Sequence, residues 1–180
     1  MDAFEVIVSK LMEAEGYWVR PSYKINLSKE TKAKLENHSM PRPEIDLLAY
    51  RPGKNEVLAL ECKSYFDSTG VVASAVLDPG AKFNERFKLF TREPLRTTVL
   101  EHLGAQLVSE NLCLPNPVVQ LGLAVGHFRS AADRERLELE FPKRGWKLFT
   151  DVWLKTKITN LASSDYDNSV VTISAKLLSR

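Results

Sequence analysis

Three charged residues sit inside two apolar runs of this chain. Asp46 lies within "EIDLLAYR", and Glu61 and Lys63 lie within "EVLALECKS". Burying an unpaired charge is costly, so these groups need a compensating partner. The runs are joined by "PGKN", whose Pro and Gly mark a tight turn. A two-residue loop at Gly53-Lys54, with Gly first as a type II′ turn prefers, sets Asp46 opposite Glu61. A four-residue loop with the same centre gives the same pairing. Directly opposed residues have Cβ atoms roughly 4.5 to 5.5 Å apart, close enough for two carboxylates to repel. Strand alternation puts Lys63 on the face of Glu61, about 6.6 Å along the chain, and turns Cys62 to the opposite face, toward the core. Glu44 shares the face of Asp46 by the same rule.

Two carboxylates on a partly buried surface destabilise a fold unless one is protonated or a cation lies between them. An oxygen-only ligand pair suits a hard divalent ion such as Mg²⁺ or Mn²⁺, which keeps waters and binds substrate phosphate. Lys63 is placed to orient or deprotonate a water, or to neutralise charge building on a phosphate. The chemistry expected of this set is metal-assisted hydrolysis. The plainer alternative is a surface hairpin carrying an ordinary ion pair, which needs no metal.

The elements that must hold these groups can be read from pattern. In "DAFEVIVSKLMEAEG", Phe4, Ile7, Val8 and Leu11 recur at helical spacing, with Asp2 as cap and Gly16 as stop, so a helix is predicted over about 2–15. "YWVRPSYKI" reads as a strand, at an edge because of Pro21. The polar segment 26–43 reads as an arm that is loop apart from a short helix. The two charged runs form a hairpin. The segment 65–92 lacks clean periodicity, and its "DSTGVVAS" and "DPGAK" stretches suggest loops around short strands. Pro94 fits the first turn of a helix running to about Asn111. "VVQLGLAVGHF" is apolar on both parities, as an interior strand is. Beyond it a polar helix, a strand at "WKLFT", a helix at "DVWLKTKITNLA" and a last strand at "SVVTISAKLL" are expected. The order describes a mixed α/β sandwich.

At 180 residues, with 44% hydrophobic and 27% charged, the chain suits one domain with a real core over 1–180. The 25 Lys and Arg nearly balance the 23 Asp and Glu, so any basic face must be local. Cys62 and Cys113 form no Cys-x-x-Cys pair and suggest neither zinc nor a disulfide framework. The N-terminus lacks the apolar core of a signal peptide and no run reaches the length of a membrane span, so a soluble, cytoplasmic protein is expected.

"PEID" at Pro43 to Asp46, followed after the turn by "ECK" at Glu61 to Lys63, resembles the signature of the PD-(D/E)xK nucleases, the restriction-endonuclease-like superfamily. The first helix and strand are similar to the opening of its resolvase-like and Mrr-like branches. The resemblance covers about 2–126 and leaves an extension over 127–180. It implies an αβββαβ core with a mixed central sheet flanked by helices, one or two divalent metals (Mg²⁺ or Mn²⁺), and hydrolysis of phosphodiester bonds in DNA or, less often, RNA. It implies that Asp46 and Glu61 bind the metal with the backbone carbonyl of Cys62, and that Lys63 assists the attacking water. Glu5 corresponds to a helix acid that supports the metal in some branches, and Gln106 to a polar residue that some branches direct at the site. Here Pro43 stands three positions before Asp46 rather than adjacent, which leaves a place in the site for Glu44.

A local basic face is present in "KFNERFKLFTREPLR", where Lys82, Arg86, Lys88, Arg92 and Arg96 outnumber Glu85 and Glu93. These cations can neutralise backbone phosphates, with binding that weakens as salt rises. Phe83, Phe87 and Phe90, interleaved with them, read as core rather than as base-stacking platforms. Lys143, Arg144 and Lys147 form a second cluster that a solvated turn explains almost as well. His38, His102 and His127 have no metal-ligand spacing. The expected activity is a metal-dependent endonuclease or exonuclease acting on DNA, possible as a homodimer and without a membrane partner. The rival is a non-cleaving nucleic-acid-binding or assembly protein with the same fold.

Overall fold

The computed structural model describes residues 1–35 and 38–180; positions 36 and 37, within the polar arm, lie outside the described residues. The first helix, α1 (Ala3–Ala14), is opened by a reciprocal capping box in which Asp2 and Glu5 each accept the other's backbone N–H. It leads into β1 (Trp18–Lys24), then a short α2 (Lys29–Lys34), and the hairpin of β2 (Glu44–Arg51) and β3 (Glu56–Lys63). After α3 (Ala73–Leu77), α4 (Lys88–Thr91) and the long α5 (Glu93–Ser109) comes β4 (Val118–Val125). The chain continues through α6 (Ala131–Lys143), β5 (Lys147–Phe149), α7 (Asp151–Ala162) and α8 (Val170–Leu178).

The five strands make one open mixed sheet in the order β1-β2-β3-β4-β5. β1, β2 and β3 are antiparallel neighbours, while β3, β4 and β5 run parallel. Pro21 lies on edge strand β1, where a missing N–H breaks no ladder bond on the open side. β3 and β4 are interior and buried on both faces, which is why their sequences are continuous apolar runs rather than alternating ones. One face packs Val57, Ala59, Leu121 and Leu123 against Val99, Leu103, Phe141 and Trp146 from the α3–α6 side. The other packs Leu47, Leu58, Leu60 and Cys62 against Phe4, Val8, Leu11, Leu154 and Val171 from α1, α7 and α8. Among the described residues no helix is long and apolar enough to cross a membrane.

Three local expectations are corrected. The hairpin loop is the four-residue alternative rather than the two-residue II′ turn: Arg51↔Glu56 is the last ladder pair, and Pro52–Lys54 forms a 3-10 turn closed by Asn55 in the left-handed region at φ 46°. Pro52 presets φ for such a turn, and Asn tolerates the left-handed position better than Lys. The segment 65–92 contains α3, α4 and a 3-10 turn at Asn84–Phe87 rather than short strands, apart from a single bridge between Val71 and Phe128. The last element, expected as a strand from its β-branched "VVTI", is helix α8. Ser169 caps it by accepting the Thr172 N–H, and Val171, Thr172 and Ala175 bury at helical spacing. Tertiary burial and a good cap here override β-propensity.

Candidate functional site

The sheet's carboxylate cluster arises from an irregularity. The β1–β2 ladder pairs Trp18 to Pro21 with Tyr50 to Leu47, and resumes at Tyr23↔Ile45, stepping over Ser22 and Asp46. Ser22 is left-handed, at φ 51°. Faces exchange across this step: Leu47 and Ala49 belong to the α1 side, whereas Ile45, two residues from Leu47, belongs to the α5 side. Regular alternation would keep Ile45 and Leu47 on one face. Such breaks re-aim a side chain, and the one re-aimed here is Asp46.

Asp46 is therefore not a simple ladder partner of Glu61; the β2–β3 pairing runs from Leu47↔Leu60 to Arg51↔Glu56. Its carboxylate instead accepts the Cys62 backbone N–H at 2.8 Å, replacing a ladder bond. The two acids still meet, at the Lys63 ammonium. Lys63 Nζ lies 3.5 Å from Asp46 Oδ2 and 3.3 Å from Glu61 Oε2, with all three side chains mostly buried. Burial pushes the Glu61 carboxyl up to about 7 against the opposing pull of Lys63, and the charge of Asp46 adds to the rise. Burial alone would depress the Lys63 ammonium, but Glu61 and Asp46 outweigh it and hold Lys63 above its ordinary value. One cation thus serves two carboxylates.

Glu5 reaches this cluster through its field. Its carboxylate accepts the Asp2 N–H at 3.1 Å as part of the helix cap. Burial pushes Glu5 up, and the charges of Asp2 and Asp46 push the same way. Close packing holds α1 near the hairpin's end. Gly126, just past β4, has no side chain, and a Cβ there would stand 2.6 Å from the Ser64 carbonyl oxygen, 2.7 Å from Phe66 and 3.1 Å from Phe4. The Cys62 thiol turns into the α1-side core, as alternation requires, and burial pushes its pKa up.

Gln106 is not directed at this site. Its amide oxygen accepts the Asn26 N–H, and its two N–H groups are shared among the Tyr23 hydroxyl, the Lys24 carbonyl and Glu110, so the side chain fastens α5 to the end of β1. Glu44 is exposed and pairs with Lys24 at 3.6 Å, yet it lines the same cleft as Glu61. That cleft, about 380 Å³, is walled by Arg42, Arg86, Lys88 and Arg92.

Three of the five cations expected to meet phosphate thus line this cleft, joined by Arg42, which a reading of 26–43 as a polar arm overlooks. Lys88 and Arg92 both pair with exposed Glu85. Arg96 is not available: it donates to the Leu89 and Phe90 carbonyls and lies over the Trp146 ring. Lys82 lies over the Phe83 ring, 4.8 Å from its centre. In the second cluster Lys143 and Arg144 both pair with Glu140. His102 bonds to the Thr98 carbonyl at 2.9 Å.

The donor chemistry is of the kind a hard divalent cation takes: two carboxylates converge on one cation position, which the Lys63 ammonium holds. Among the described residues no cluster of three or more His, Cys, Asp or Glu side chains is placed to hold an ion. An ion bound by Asp46 and Glu61 would complete its shell with waters and phosphate, the habit of Mg²⁺.

Backbone strain gathers in the same quarter. Among the described residues, three of the positive-φ positions other than glycine are Asn, and the rest are Ser22, Tyr65 and Phe83. Ser22 occupies the ladder position facing Asp46, Tyr65 follows Lys63 by two residues, and Phe83 precedes the cleft's basic wall. Strained positions of this kind concentrate at functional sites. No protein-family model, curated protein or solved structure matches the chain.

Proposed function

We propose that the protein is a divalent-metal-dependent nuclease with a restriction-endonuclease-like core, hydrolysing phosphodiester bonds in DNA. The observation that carries this reading is one ammonium, Lys63, shared by two carboxylates, Asp46 and Glu61, beside a cleft walled by Arg42, Arg86, Lys88 and Arg92. The order helix, three antiparallel strands, helices, parallel strand is compatible with that core.

Asp46 and Glu61 would hold the metal, which when bound would supply positive charge at the phosphate and a more acidic water. Asp46 is oriented for this by the Cys62 N–H, which fixes one carboxylate oxygen. Glu61, raised to about 7 by burial, is the acid whose charge changes nearest neutrality. Lys63 places an ammonium where charge develops on the phosphate, or orients the attacking water. The cleft arginines and Lys88 fix the strand through its phosphates, which positions the scissile bond without reading sequence.

The test is incubation with supercoiled, linear, single-stranded and branched DNA in Mg²⁺ or Mn²⁺, with Asp46→Ala and Lys63→Ala as controls. Cleavage by the wild type that both substitutions abolish is expected. No cleavage of any substrate in either metal, or cleavage unchanged in Lys63→Ala, overturns the proposal. One observation favours a second reading, a nucleic-acid-binding protein that does not cut: Lys63 already compensates both acids without an ion. That reading expects no Mn²⁺-induced thermal shift, whereas the nuclease reading expects a shift that Asp46→Ala removes.

A further inference from the structure

Three phenylalanines interleave the basic segment, and they part company in the fold. Phe87 and Phe90 are buried, Phe90 stacking on Phe141. Phe83 is 48% exposed and holds φ at 69°. A bulky residue in the left-handed region is a genuine outlier, and such strain persists where the surrounding structure insists on it. An exposed ring recovers little burial energy in return. Its neighbours are cations: Lys82 Nζ lies 4.8 Å and Arg86 Cζ 5.1 Å from the ring centre. Arg86 also lines the cleft that Glu61 shares, so the ring stands beside the cleft's rim.

We infer that Phe83 is a stacking platform for an unpaired base, and that the strand entering the Glu61 cleft is single-stranded. This rests on the nucleic-acid reading given above, though not on cleavage. A base in a duplex keeps both π-faces on its neighbours, while an unpaired base has one to offer. Single strands are bound by pairing aromatic faces with a basic groove, and arginine planes extend such a surface. Phe83 supplies the ring, whose face a base takes by displacing one of the flexible Lys82 and Arg86 side chains that now lie over it, and Arg42, Lys88 and Arg92 supply the phosphate contacts. An acidic peptide would match the charge but has no flat ring to offer Phe83.

The experiment measures binding with divalent ions chelated, so that it is independent of hydrolysis. Fluorescein-labelled oligothymidylate and a duplex of equal length are titrated with wild type, Phe83→Asn, Phe83→Trp and Arg86→Ala. Asn is chosen because it tolerates the left-handed region, so Phe83→Asn should fold with an unchanged or raised melting temperature. A stacked base contributes about 1 to 3 kcal/mol, so Phe83→Asn should weaken oligothymidylate binding about 5- to 150-fold and duplex binding hardly at all. Phe83→Trp should retain affinity. Arg86→Ala should weaken both ligands and flatten their salt dependence. Equal binding of oligothymidylate by Phe83→Asn and wild type, an equal loss on duplex, or competition by polyglutamate as strong as by oligothymidylate would each overturn the inference. Binding that obeys these expectations in a protein that cuts nothing would sink the nuclease reading and leave this one standing.

Discussion

Two of the acids held largely out of water in this molecule end on opposite sides of the ordinary carboxylate range. Asp133, at the start of α6, accepts the Ala73 N–H at 2.8 Å, the Ser130 hydroxyl at 2.6 Å and the Arg129 guanidinium at 3.2 Å. Burial alone would raise it, but Ser130, Ala73 and Arg129 together bring it below its usual value. Among the described residues Glu61 has Lys63 alone, shared with Asp46, and is left at about 7. A carboxylate saturated with donors joins parts of a fold together. One left short of donors on a buried surface has spare affinity for a cation, and such groups collect at functional sites.

The sharpest break between the two acids should be kinetic. Under the nuclease proposal Lys63→Ala should lower cleavage on the order of 10²- to 10⁴-fold, while Arg129→Ala, which strips a partner from Asp133, should leave the rate of folded enzyme unchanged. Both are read from initial rates on a DNA substrate in Mg²⁺. The reverse asymmetry should appear in stability. Asp133→Ala leaves the Ala73 N–H unpaired and removes a side chain from the first turn of α6, costing on the order of 2 to 4 kcal/mol in urea denaturation.

A smaller effect follows pH. Glu61 has a folded pKa of about 7 against an ordinary 4.5. Its contribution to stability is therefore most favourable below 4.5 and is lost as pH rises through 7. Asp133, being lowered, contributes above its ordinary value and loses that contribution as pH falls. Glu61→Gln should abolish the decline between pH 4.5 and 7, a difference on the order of 2 to 3 kcal/mol seen in melting temperature against pH. A parallel decline in wild type and Glu61→Gln would remove Glu61 as its source. Smallest of all is the half-buried pair of Lys10 and Asp167, 2.6 Å apart, which with the Thr172 hydroxyl draws Asp167 down to about 2. Asp167→Asn should lower the melting temperature by no more than about 2 °C at neutral pH, and the difference should vanish as pH falls through 2.

Much of this contrast was legible in the residues themselves. The hairpin register follows from loop centring and alternation, which is why Glu61 and Lys63 were found together and Cys62 turned inward. α1 carries a cap, a stop and periodicity strong enough to place it, β1 an aromatic and β-branched run, and α5 a first-turn Pro94 with apolar periodicity. Asp46's true orientation was not legible, because it depends on Ser22 adopting a left-handed φ, and nothing local to Ser22 demands that. Gln106 looked like a site residue because polarity on a helix says nothing about which neighbour satisfies it. Arg42 is not legible as a wall residue because a cleft wall is assembled from segments distant in sequence, and Phe83, read as core with Phe87 and Phe90, is instead exposed. α8 was misread because four β-branched residues in a row favour a strand until burial against α1 and α7 is counted.

The missing side chain at Gly126 sets a clearance. With 2.6 Å to the Ser64 carbonyl and 3.1 Å to Phe4, even a methyl would act as a shim between the tip of β4 and the first turn of α1. Prising that joint apart would carry Glu5 away from Asp46, so the electrical coupling of helix to hairpin is gauged by the thickness of a single hydrogen atom.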